Sequence, residues 1–243
     1  MNGLFSIYMR ELKGYFQTPI AYIFIAIFVA LNGLFTFYLG RFFERGEANL
    51  DVFFQWHPWL YLILIPTITM RIWAEERKSG TIELLMTMPI PIWQMVVGKF
   101  LAAWKFTSIA LLCTFPIWWS VNYLGNPDNG VIFSSYIGSL LMAGGYISIG
   151  VAISATTNNQ VIAFVITLIV GIFFTVTGFP MVMNAIQSIL PQLLIETLSQ
   201  FSFLINFQNI SQGFMELRSI LYFISIIVFW LFINILILEN REN

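Results

Sequence analysis

Charge is what this sequence has least of. Only 9% of its 243 residues are Asp, Glu, Lys or Arg, against 58% hydrophobic, where ordinary soluble domains carry roughly 25% charge. So little charge cannot cover a water-facing surface, and the chain reads as an integral membrane protein. A formal net charge of −1 creates no field that would gather nucleic acid. The single cysteine, Cys113, excludes an intramolecular disulfide. The single histidine, His57, excludes a multi-histidine metal site, and its place before Pro58 reads as a boundary residue. No Asp or Glu falls in the middle of an apolar run, although proton- or sodium-coupled carriers use such groups. Gly-rich phosphate loops, nucleophile elbows and facing intramembrane carboxylates are missing too, so no residues stand out for catalysis or for holding a metal or cofactor.

What the chain does have is length in its apolar runs. Six spans are expected, near residues 20–40, 58–74, 99–123, 132–156, 160–179 and 220–238, each approaching the ~20 residues that a helix needs to cross a bilayer core. The fold class is therefore an all-α membrane protein, one transmembrane domain over 1–243. The first run, starting near Ile20, is too long for a signal core and lacks a small-residue cleavage site after it. Before it, residues 1–18 form an amphipathic segment. Leu4, Tyr8, Leu12 and Tyr15 recur on one face, and Ser6, Arg10, Lys13 and Gln17 on another, the pattern of a helix lying in the membrane interface. Residues 180–219 are too polar in places to span and too apolar for a free loop. Two short re-entrant or interfacial helices on the extracytoplasmic side fit them best.

Basic residues orient the chain. With both termini in the cytoplasm, eight fall inside (Arg10, Lys13, Arg71, Arg77, Lys78, Lys99, Lys105, Arg241) and three outside (Arg41, Arg45, Arg218). Tryptophans 56, 59, 73, 118 and 119 cluster near span ends, as in the aromatic belts of membrane proteins. Gly144, Ser148, Ala152 and Thr156 make a small-residue stripe on the fourth span, suited to close helix packing. Asn32, Thr167 and Thr175 are intramembrane polar residues that either line a path or hydrogen-bond between helices.

The densest charge lies at Glu75-Glu76-Arg77-Lys78-Ser79-Gly80-Thr81-Ile82-Glu83, inside a cytoplasmic segment 75–91. Gly80 tolerates the left-handed conformation of a helix end. Thr81 is placed to cap a new short helix carrying Glu83 in its first turn, and Pro89 and Pro91 end it. A charged helix between two spans is suited to take force from another protein. Arg77 offers a fork of donors to a carboxylate, and Glu75, Glu76 and Glu83 offer acceptors.

The stretch Trp73 to Leu85, with Pro89 and Val97-Gly98-Lys99-Phe100 after it, resembles the permease subunits of ABC-2 type transporters, most closely the gliding-motility-associated branch. The likeness extends to Ala26–Phe37 and Phe203–Phe223. Relatives often carry a basic residue before the glycine of the last turn, where this chain has Gln212 before Gly213. The resemblance implies a half-transporter in a bacterial inner membrane, paired with a second copy or a related permease, amid membrane lipids and without nucleic acid. It implies two cytoplasmic ABC ATPase subunits, which would hold ATP and Mg²⁺, while this chain holds no cofactor and is not itself an enzyme. The coupling role would fall on Glu75, Glu76, Arg77, Lys78, Gly80, Thr81 and Glu83. Export of an amphipathic or polymeric substrate is the expectation. A motility or secretion assembly factor that moves no small substrate, and a scaffold or channel without an ATPase, are the alternatives.

Overall fold

The computed structural model describes residues 3–179, 181–183, 199–213 and 216–240. Among them every regular element is helical. The amphipathic start forms α1 (Gly3–Phe16). Leu4, Tyr8, Leu12 and Tyr15 are half-buried and Ser6, Arg10, Lys13 and Gln17 exposed. Pro19 then sits at the first position of α2 (Pro19–Leu34), where its missing N–H costs nothing. One wider π-helical turn, Phe35–Leu39, continues α2. A short α3 (Phe42–Arg45) follows, bounded by left-handed Arg41 and Gly46.

The second apolar run is not one uniform span. It is α4 (Asp51–Gln55) followed by α5 (His57–Thr69), which is 13 residues long and contains Pro66. The third begins earlier than expected, as α8 (Ile92–Leu112), and breaks before α9 (Pro116–Leu124). Pro116 cannot donate to the carbonyl four residues back, and Thr114 and Phe115 tighten to bonds with Leu111 and Leu112. α10 (Asn129–Ser154) is opened by the Asp128 carboxylate, which accepts from the Gly130 and Val131 amides. Asn159 does the same at Val161 for α11 (Gln160–Val176). Among the described residues, four helical stretches are long and apolar enough to cross a membrane: 19–45, 92–124, 129–154 and 217–239. α11 and α5, at 17 and 13 residues, are shorter than that.

Of the expected pair of short helices in 180–219, one is described: α12 (Phe203–Ser211), capped by Ser202 at the Ile205 amide. Most of the remaining expected segment, 184–198, lies outside the described residues. α13 (Leu217–Glu239) closes the fold. α10 is the centre, packed against α5, α8, α11, α12 and α13, while α1 lies along α8.

Two boundary assignments change. His57 is fully buried. Its Nδ1 lies 2.7 Å from the Ser139 hydroxyl, itself 2.8 Å from the Tyr61 hydroxyl, and the Phe53 and Phe54 rings meet it edge-on. The cause is the α4–α5 pair, which turns His57 toward α10 rather than toward the interface. Trp73 is likewise fully buried, and so does not join an aromatic belt.

Candidate coupling junction

The charged stretch forms two helices of five and six residues, α6 (Ala74–Lys78) and α7 (Thr81–Met86). Gly80 between them has φ 73°, the left-handed conformation that glycine adopts without a side-chain penalty. Thr81 does not cap α7, which starts from Gly80. Its hydroxyl instead lies 2.8 Å from Ser79 Oγ and 3.3 Å from the Glu76 carbonyl oxygen, with one proton for these two acceptors. Ser79 Oγ in turn donates to the Glu75 carbonyl at 2.9 Å. The two hydroxyls thus gather at the end of α6, beside the Ser79 amide that already bonds the Glu75 carbonyl at 2.9 Å.

The other end of α6 is held from a distance. Ser154, at the end of α10, accepts from the Trp73 and Ala74 amides at 3.1 and 3.2 Å and donates to the Met70 carbonyl at 3.2 Å. One hydroxyl therefore fixes the bend between α5 and α6.

Lys99 supplies the third attachment. It lies two turns into α8 and is only 2% exposed. Its ammonium donates to Glu76 Oε1 at 2.7 Å, Glu11 Oε1 at 3.1 Å and the Ile72 carbonyl at 3.2 Å, so its three protons have three acceptors. The Trp73 ring lies 4.8 Å from it, a cation–π distance. Arg10 bonds Glu11 at 2.7 Å and approaches Glu76 at 3.8 Å. Two carboxylates and two cations thus join α1, α6 and α8 in a neutral cluster.

The two carboxyls are not equivalent. Burial pushes both up. At Glu11 the charge of Lys99 and the hydrogen bonds from Arg10 and Lys99 outweigh it and hold the carboxyl below the usual range. At Glu76 burial wins: Lys99 pulls back only part of the rise, and the Glu11 charge adds to it. The second oxygen of Glu76 is buried with no partner among the described residues, which agrees with the raised direction.

The expected coupling residues therefore divide. Glu76 is committed to the junction. Arg77 is half-buried, with its Nε unpartnered among the described residues, and Glu75, Lys78, Gly80, Thr81 and Glu83 are exposed. Lys99, Glu11, Trp73 and Ser154 were not among the expected site residues. A lysine next to Gly98 inside an apolar helix was the one sequence signal for them. α1 and α8 meet closely at that glycine, where a Cβ would lie 3.0 Å from Ile7 Cγ2.

The intramembrane polar residues lie elsewhere. Asn32 is buried and donates within α2 to the Phe28 carbonyl at 2.8 Å. Thr175 pairs with the Tyr146 hydroxyl at 2.5 Å, joining α11 to α10. Thr167 is buried, its hydroxyl without a partner among the described residues. On α10, Ser148 and Ala152 are fully buried. A Cβ on Gly144 would stand 2.9 Å from Ile227 Cδ1 and 3.2 Å from Trp104 Nε1, so α13 and α8 approach α10 at that point.

Among curated proteins, none matches this sequence. Residues 59–227 match the family model described as ABC-2 family transporter protein. The match takes in most of α5, α6 to α12, the junction except for α1, and part of α13. Together with the long apolar helices it makes this a multi-pass membrane protein, and the chain belongs to the ABC-2 transporter family.

Proposed function

We propose that this chain is the permease subunit of an ATP-driven exporter and that α6–α7 is the helix through which a cytoplasmic ATPase drives it. Family membership implies an ATPase partner in general. The observation that carries the finer reading is the triple attachment of α6. Ser154, Lys99 and the bend after α5 tie it to α10, α8 and α5, while Lys78, Thr81 and Glu83 are exposed and Arg77 is half-buried beside them. A segment rigidly tied on one side and charged on the other passes displacement instead of absorbing it. Docking then falls mainly on Arg77, Lys78 and Glu83, with Gly80 and Thr81 setting their presentation. Glu76 acts behind them, as the link to Lys99.

Six crossings are the reading for the whole chain. The four long helices are joined by α11 and by α5, whose 13 residues measure about 20 Å and are extended by the flanking turns. Two copies, or this chain and a related permease, would pair in a bacterial inner membrane with both termini in the cytoplasm. Two ATPase subunits would carry ATP and Mg²⁺. The substrate class is amphipathic or polymeric, and the gliding-motility branch is the kinship we favour.

The test is to purify the chain from its native membrane in mild detergent, wild type beside the double variant Arg77→Glu, Glu83→Lys and beside Lys99→Met. Wild type is expected to bring an ATPase with it, and the double variant to lose it. Lys99→Met is expected to keep the ATPase bound while losing substrate-stimulated turnover. Absence of any ATPase from the wild-type preparation would sink the reading and favour a scaffold or channel.

A further inference from the structure

A cavity of about 520 Å³ lies between α1, the first turns of α2, the end of α5 and α6. That volume is within the range of small-molecule sites. Six charged side chains line it: Arg10, Glu11, Arg71, Glu75, Glu76 and Lys99. Four of them are the junction just described and pair with one another through Glu11 Oε1 and Glu76 Oε1, leaving Glu76 Oε2 without a partner among the described residues. Arg71 and Glu75 remain. They are exposed and opposite in sign, and no ion pair engages either among the described residues. Their spacing of four residues would allow a mutual pair on a regular helix, but Arg71 falls in the bend before α6.

Beside the neutral polar side chains of Gln17, Thr18 and Thr67, the lining has an apolar part that leads outward. Ile20, Ala21, Phe24, Ile68 and Phe106 form the wall. From Ile20 the exposed side chains of Ile23 and Ile27 continue along α2. The first turn of α2 also lines the cavity without a side-chain cap, because the Thr18 hydroxyl donates back to the Tyr15 carbonyl. Its positive end adds to the field of Arg71.

We infer that this cavity holds the headgroup of a glycerophospholipid bearing a primary ammonium. The phosphodiester sits on Arg71 and the start of α2, the ammonium on Glu75, and the acyl chains follow Ile20, Ile23 and Ile27. An anionic headgroup would meet Glu75 with no cation to offer it. A trimethylated ammonium has no N–H to donate. A free phosphate would leave the apolar wall unused. The inference rests on the placing of α1 at the membrane surface, not on an ATPase or a transported substrate.

Native mass spectrometry of the membrane-purified chain, with the subunits it retains, tests this using dihexanoyl phosphatidylethanolamine, phosphatidylcholine and phosphatidylglycerol as probes. Phosphatidylethanolamine is expected to bind tightest. Arg71→Gln and Glu75→Gln should each weaken it about tenfold, the loss of one charge-assisted bond. Lys13→Gln, an exposed position on α1 outside the cavity lining, should leave it unchanged. Phosphatidylglycerol should bind better to Glu75→Gln than to wild type. Equal binding of all three lipids, or no loss in the Arg71 and Glu75 variants, overturns the inference. So does phosphoethanolamine binding as tightly as the lipid, which would mark a site for a soluble ligand. A disulfide between two Ile20→Cys copies that forms at the expense of lipid overturns it in favour of a second copy. Retention of the ATPase, scored in the same spectra, reads the coupling proposal separately.

Discussion

α10 and α13 are both long and apolar enough to cross a membrane, yet the more apolar of the two is the less buried. Of the apolar stretch of α10, 83% is buried inside the chain, against 17% for α13. In water the ranking would run the other way. In lipid, apolar surface gains little by leaving hydrocarbon for protein, so close fit and hydrogen bonding decide which helix goes inside. α10 carries Gly138, Gly144, Gly145 and Gly150, and five buried serines. Those serines are all bonded: Ser134 and Ser135 to the Val131 carbonyl, Ser148 to the Gly145 carbonyl, Ser139 to His57 and Tyr61, and Ser154 to the α5–α6 bend. α13 instead exposes Leu221, Ile224, Val228, Phe229, Phe232 and Leu236. Polar atoms of its Ser219, Trp230 and Asn234 are buried without partners among the described residues.

The packing of α10 is most easily disturbed at Gly150. A Cβ there would overlap Thr69 Oγ1 and fall 2.7 Å from Thr69 Cβ, so any larger side chain forces α5 off α10. Gly150→Leu is expected to cost about 3 kcal/mol and to lower the thermal midpoint of the detergent-purified protein sharply. Val228→Leu on α13, at a position 61% exposed, should change stability by no more than about 0.5 kcal/mol. Similar losses in both variants would mean that α10 is not the tighter helix.

A smaller effect is expected at Ser154. Alanine there removes the acceptor of the Trp73 and Ala74 amides and leaves buried donors unmatched, a loss of about 1–2 kcal/mol. The loss is local. Hydrogen exchange should quicken through α6 and α7 while α13 stays as protected as in wild type. Unchanged exchange in α6 would show that the hydroxyl does not hold the bend.

Much of this architecture is legible in the amino-acid sequence, because lipid imposes simple rules on which residues can cross it. Run length places the four long apolar helices seen among the described residues, and the two faces of α1 follow from its spacing. Gly80 ends α6 as its conformational freedom requires. Partnership is what the sequence does not carry. Lys99 reads as one more basic residue near a span end, and only the folding of α1 and α6 onto α8 turns it into a shared donor for Glu11 and Glu76. His57 misleads for the same reason: its neighbour Pro58 signals a boundary, while its partner Ser139 lies 82 residues away. Pro116 is visible as a breaker, but a continuous apolar run on both sides hides the break in the third span. Contacts between distant residues leave no periodicity to read.

The smallest effect, and the one of opposite sign, is expected at Asn234. It reaches neither lipid nor water: its side chain is 0% accessible, and neither its amide nitrogen nor its oxygen has a partner among the described residues. A buried amide without a hydrogen bond is costly in apolar surroundings, and leucine keeps the same branched shape without the polar atoms. Asn234→Leu should therefore raise stability by about 1 kcal/mol, seen as a higher thermal midpoint in the same detergent. A lower midpoint would show that the amide is bonded in solution and that α13 holds itself by the same means as α10. A higher one would sharpen the contrast: the buried hydroxyls of Ser139 and Ser154 fasten α10 to α5 and to the bend before α6, whereas α13 stays in place through the fit of Phe223, Ile226 and Leu238 and carries its polar residues at a cost.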